Sequence, residues 1–157
     1  MHDGWSDATP PVTRKDMPVA RLNWRIILLL SLFGPINGLI ALRGLPSELY
    51  EKLIWLPAVL VSAWVIARFL REGHFGNGAI VGLIAGASAK LIEGVFASTY
   101  WAHNPWLAEA LAGRPEEFHF QRYVLNLVPY VGVASALIQG LLSHVASRVI
   151  APREVSS

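Results

Sequence analysis

"GNGAIVGLIAGASAKLIEGVF", residues 76–96, is a run of small and apolar residues broken by two charges, Lys90 and Glu93. Gly78, Gly82, Gly86, Lys90 and Gly94 recur every four residues, which places them on one gently drifting stripe of a helix. Small residues at that spacing allow a second helix to approach closely. Glu93 follows Lys90 by three positions, within reach on the same side. In lipid such a helix is poorly supported by itself. A central lysine or acidic residue costs about 2.5 to 3.5 kcal/mol, and each large aliphatic residue or phenylalanine returns about 0.3 to 0.6 kcal/mol. Ile80, Val81, Leu83, Ile84, Leu91, Ile92, Val95 and Phe96 therefore return roughly 4 kcal/mol against a charge cost of about 6. The run is expected to be surrounded by other helices, with Lys90 and Glu93 paired and facing inward.

The rest of the chain supplies those helices. Of 157 residues, 54% are apolar and 15% charged, a balance far from that of a soluble domain. The charges gather near the ends and in short gaps between apolar runs, as they do when lipid is the solvent for the runs. Four runs qualify as spans, at 26–42, 53–70, 79–101 and 123–149. Each must be helical because lipid leaves no backbone group unsatisfied, so Pro35, Pro57 and Pro129 are read as kinks. The fold class is all-α, an integral membrane four-helix bundle occupying residues 26–150. Residues 1–25 are read as a disordered cytoplasmic tail and residues 151–157 as a second cytoplasmic tail. The first run is expected to be retained, since "FGPING" and "ALRG" match a cleavage site poorly.

Basic residues set the orientation. Arg14, Lys15, Arg21, Arg25, Arg68, Arg71, Arg148 and Arg153 fall on one side, and Arg43, Lys52, Arg114 and Arg122 on the other. Eight against four predicts both termini in the cytoplasm of a bacterial inner membrane. Tyr50, Trp55, Tyr100, Trp101, Trp106, Phe118, Phe120 and Tyr123 then form an aromatic belt at the outer boundary, opposite Trp24, Phe69 and Phe75 at the inner one. Between the third and fourth spans, residues 104–113 are predicted to form a short amphipathic outer helix. Asn104 is its N-cap, Pro105 its first helical residue and Gly113 its terminator. Pro115, Glu116 and Glu117 are expected to open a further helix running into the fourth span.

Further polar groups and small residues lie on the other spans. Gly34 and Gly38 flank Asn37 on the first, and Gly132, Ala136, Gly140 and His144 make a four-residue stripe on the fourth, beside Ser135, Gln139 and Ser143. Asn126 adds a polar group nearer the outer side. An antiparallel third and fourth span would bring Lys90 level with Ser135 to Gln139. Asn37, Asn126, Ser135, Gln139 and His144 are thus the candidate partners of the charged pair.

Several function classes drop out. No basic patch interleaved with aromatics points to nucleic acid. The absence of cysteine excludes disulfides, thiolate metal sites and cysteine nucleophiles. The glycine-rich "REGHFGNG" lacks a Walker lysine and a preceding strand, and reads as a tight turn. His103, His119, Glu109, Glu116 and Glu117 show no metal-ligand spacing such as H-E-x-x-H, so no metal and no cofactor is expected. No G-x-S-x-G motif is present, and Ser143 and His144, adjacent on one helix, point apart. An enzyme is not expected.

The third span followed by "STYWAHNPWLAEAL", residues 98–111, carries small residues at every fourth position, then Tyr100, then Asn104 and Pro105 opening an amphipathic helix. This region resembles the third-helix region of an uncharacterised family of small bacterial four-span membrane proteins. The resemblance implies four helices with a long outer connection before the last; it implies no activity. Lys90 and Glu93 are not part of that family's pattern. The leading expectation is a structural or assembly component in which Lys90 and Glu93 neutralise each other and fix helix register. The alternative is a small transporter or channel-like protein that moves protons, ions or a small solute past them. Lipid is the expected surrounding, and a second copy or another membrane protein is expected to dock on the glycine stripes.

Overall fold

The computed structural model describes residues 22–44, 48–113 and 119–150. The tail expected at 1–25 lies outside these residues as far as position 21, and the tail at 151–157 and the helix start at Pro115 lie outside them altogether. Among the described residues every regular element is a helix: α1 (Trp24–Ser31), α2 (Phe33–Leu42), α3 (Glu48–Phe69), α4 (His74–Val95), α5 (Ala97–His103), α6 (Trp106–Ala110) and α7 (Phe120–Val149). Four stretches are long and apolar enough to cross a membrane: Trp24–Leu42, Lys52–Phe69, His74–Val95 and Phe120–Val149.

The helix boundaries follow from local chemistry. Asn23 caps α1, its side chain accepting from Ile26 N at 3.3 Å. The break between α1 and α2 falls at Leu32 because Pro35 has no N–H to offer the Ser31 carbonyl; Leu32 N donates to Leu29 O at 3.3 Å in a tighter turn. α4 starts at His74, five residues before the start read from sequence. Gly73 adopts a left-handed φ of 71°, a conformation glycine reaches without strain, and this reverses the chain so that most of "GHFGNG" is already helical. The other end of that helix also departs from expectation. A continuous third span to Trp101 is interrupted at Phe96 (φ −102°, ψ 37°), after which α5 begins as a separate helix.

α4 is the most enclosed span, with 44% of its apolar window buried against 33%, 22% and 22% for the others. Its glycines explain why. A methyl on Gly82 would strike the Ser135 backbone, and one on Gly86 would meet Ser135 Cβ at 2.8 Å. One on Gly94 would lie 2.9 Å from Leu125 Cγ. As the α4 number rises the α7 number falls, so the two helices are antiparallel. α2 packs on another side of α4, Gly34 against Ala85 and Gly38 against Ala89, with numbers rising together, so these two are parallel. α3 leans mainly on α7 and touches α4 less.

Two apolar clusters close the ends. Ile27, Ile66, Leu70 and Val81 form one, and Ala41, Tyr100 and Leu107 the other. Outside, Leu28 and Leu29 on α1, Leu53 and Leu60 on α3, and Leu137 and Leu141 on α7 are all more than half exposed.

Candidate functional site

Lys90 and Glu93 sit on the last two turns of α4. The Lys90 Nζ donates to Glu93 Oε2 at 2.6 Å. The i,i+3 spacing brings the two groups over one another on the helix surface, so the backbone alone puts them in range. Their exposures differ. The Glu93 side chain is 1% exposed and that of Lys90 17%, so the carboxylate is sealed among helices and the lysine reaches an internal surface.

That surface belongs to a cavity of about 790 Å³ between α3, α4 and α7, with α6 lining one end. Lys90 and Glu93 lie on its α4 wall, Ser135 and Gln139 on its α7 wall, and Lys52 at the α3 end. Gln139 is buried, and its amide ties α7 to α3 by donating to Val59 O at 3.3 Å, with a second contact to Ser143 Oγ at 3.4 Å. Gly78, Gly82 and Gly86 bring α7 close against one side of α4. α3, which packs mainly on α7 and touches α4 little, leaves the gap.

The register differs from the sequence expectation. Gly82, not Lys90, sits against Ser135 and Gln139. Lys90 lies between Gly86, which faces Val131, and Gly94, which faces Leu125, and is therefore level with about Val128. The charged pair and Gln139 share a cavity but occupy different depths in it. Neither His144 nor Asn126 joins them, since both are exposed. Asn37 is 3% exposed on α2, and among the described residues neither its Nδ2 nor its Oδ1 finds a partner. The small residues all meet atoms of this chain: besides those above, Gly78 meets the Gln139 carbonyl, Gly132 meets Ala87 and Leu83, and Gly140 meets Phe75. The stripe of α7 that faces the α4 glycines is that of Ser135, Gln139 and Ser143, one position round from the stripe of Gly132, Gly140 and His144.

Two further placements were not legible beforehand. Trp55, Tyr100, Trp106, Phe120 and Tyr123, read as part of an outer belt, line the cavity. The direction they face did not follow from the sequence. Asn104, expected to cap α6, instead turns its amide back, donating to Ala41 O at 2.9 Å and Tyr100 O at 2.8 Å. Its Oδ1 accepts from the Trp106 indole at 3.3 Å, so one buried residue fastens α6 to the ends of α2 and α5. At the opposite end Asn77 does the same work, accepting from Asn23 N at 2.8 Å and donating to Gly73 O at 2.9 Å.

Among the described residues no three of His, Asp and Glu converge as metal ligands. His103 engages the Thr99 carbonyl at 2.9 Å, and Glu116 and Glu117 lie outside the described residues. No family model, curated protein or solved structure matches the chain.

Proposed function

We propose that the chain is a multi-pass protein of the bacterial inner membrane, its four spans packed as a bundle with both termini in the cytoplasm, and that its cavity holds a small lipid-soluble molecule beside the Lys90–Glu93 pair. The observation that carries this reading is that the pair lies on a cavity wall. A volume of about 790 Å³ falls within the range of small-molecule sites, which are mostly apolar with a few placed polar groups. Charges inside a membrane protein are costly and usually border the path of an ion or solute. Leucine-rich exteriors on α1, α3 and α7 suit lipid, and helical rather than barrel spans suit the inner membrane. Release of the bound molecule to one face after uptake from the other would make the protein a carrier.

A structural role for the pair is the second reading, favoured by the 2.6 Å ion pair and the sealed carboxylate. A second copy or another membrane protein would meet the leucine-rich exterior, because the glycines are already covered by this chain.

The test is to purify the full chain in its native lipids and quantify co-purifying small molecules by mass spectrometry. Leu127 of α7 also lines the cavity, so a Leu127→Trp variant places a large ring there. At unchanged helical content, it is expected to lose at least about nine-tenths of a species that the parent retains near one per chain, the loss corresponding to roughly 1.4 kcal/mol or more of binding free energy. Equal retention by both proteins would overturn the proposal.

A further inference from the structure

Resting on the cavity reading above, we infer that the ligand is a neutral, flat ring compound with a hydrogen-bond acceptor, such as a ring carbonyl, that docks on Lys90. Three observations lead there.

The first is charge. Lys90 and Glu93 form a closed pair at 2.6 Å, so the α4 wall has polar groups but no net charge. An anionic ligand would add an uncompensated charge next to the Glu93 carboxylate in a poorly solvated site, and a cation would do so next to Lys90. Lys52 does not alter this balance. It is exposed at the cavity's end, where solvent and salt screen it.

The second is the sign of the group presented. Both partners line the cavity, but Lys90 presents far more surface there, 17% exposed against 1%. An ammonium is a donor and never an acceptor. What meets it must therefore bring an acceptor.

The third is the wall. Trp55, Trp106, Phe120 and Tyr123 line the space, and the rings of Trp55 and Phe120 are held by aromatic neighbours. Phe33 meets Trp55 edge-on at 5.1 Å and 81°, and Tyr100 stacks on Phe120 at 6.1 Å and 21°. Fixed aromatic faces and edges favour stacked or edge-to-face packing of another ring over a flexible alkyl chain.

The test uses three naphthalenes substituted at the same ring carbon: the neutral acceptor acetylnaphthalene, the anion naphthoate, and ethylnaphthalene, which has no acceptor. Binding to the full chain in nanodiscs is measured by calorimetry, with empty nanodiscs subtracted. Acetylnaphthalene is expected to bind about tenfold tighter than ethylnaphthalene, the effect of one hydrogen bond to a charged group, and tighter than naphthoate. In Lys90→Met, and in the doubly neutral Lys90→Met/Glu93→Gln variant should the single change fail to fold, the advantage over ethylnaphthalene should disappear. Tightest binding of naphthoate, or equal binding of all three, would overturn the inference while leaving the cavity reading intact. No binding above empty nanodiscs would overturn both.

Discussion

Lys90 and Glu93 are chemically matched but not equally placed, and this gives their roles different signatures. Removing one member of a buried ion pair leaves the other uncompensated and destabilises by about 3 to 5 kcal/mol, whereas replacing both with uncharged groups of similar size is often close to neutral. Since Glu93 is sealed and Lys90 borders the cavity, Lys90→Met should cost more than Glu93→Gln. The Lys90→Met/Glu93→Gln protein should recover most of the loss. Thermal unfolding of the three variants in detergent, treated as a double-mutant cycle, measures the coupling. Additive losses would show that the two side chains are retained independently of one another. Asn37 presents the opposite case: a buried amide whose unmet donor and acceptor are each expensive, and nothing in the structure explains its retention.

At the scale of elements, the spans are organised by what the glycines allow. Gly82 has no room for a side chain, because a Cβ there would overlap the Ser135 carbonyl group, whereas at Gly76 the nearest atom is Leu22 Cδ2 at 3.9 Å. Gly82→Ala should force α4 and α7 apart and lower stability by about 1 to 3 kcal/mol. Gly76→Ala should be neutral or stabilising by up to about 1 kcal/mol, since alanine is the better helix former. Gly132→Ala, with its closest atoms at 3.3 Å, should fall between the two. Melting curves of the three proteins check the order, and a Gly76→Ala protein as unstable as Gly82→Ala would refute the account. The break at Phe96 also acts at this scale. It releases α5 to cross the end of α2, where Gly44, at a φ of 89°, lies against the His103 carbonyl, and it brings Asn104 to the Ala41 carbonyl.

For the whole molecule, the proposed topology places the α3–α4 connection inside and the segment after α6 outside. The absence of cysteine makes this simple to examine. In intact cells, an impermeant thiol reagent should label Ala112→Cys and leave Glu72→Cys unlabelled until the membrane is opened. The reverse pattern would invert the orientation. Both positions are exposed, so labelling reports the side of the membrane rather than burial. Of the described basic residues that predict this orientation, Arg25, Lys52, Arg68, Arg122 and Arg148 lie near helix ends and Arg43 and Arg71 just beyond them, where the membrane rather than the packing reads their charge.

The sequence by itself determined the four apolar stretches, the glycines where helices approach, and the pairing distance of Lys90 and Glu93. The first two follow from composition and spacing. The third follows from a helical repeat of about 3.6 residues, which brings positions three apart together whatever surrounds them. Only the tertiary structure decided how far α7 slides along α4, setting Lys90 level with Val128 and Gly82 against Gln139. It alone turned Trp55, Trp106 and Tyr123 inward, bent Asn104 back to Ala41, and left a cavity beside the charged pair. A helix's rotation and register are set by the shapes of all its neighbours at once, and no window of one chain segment contains those shapes.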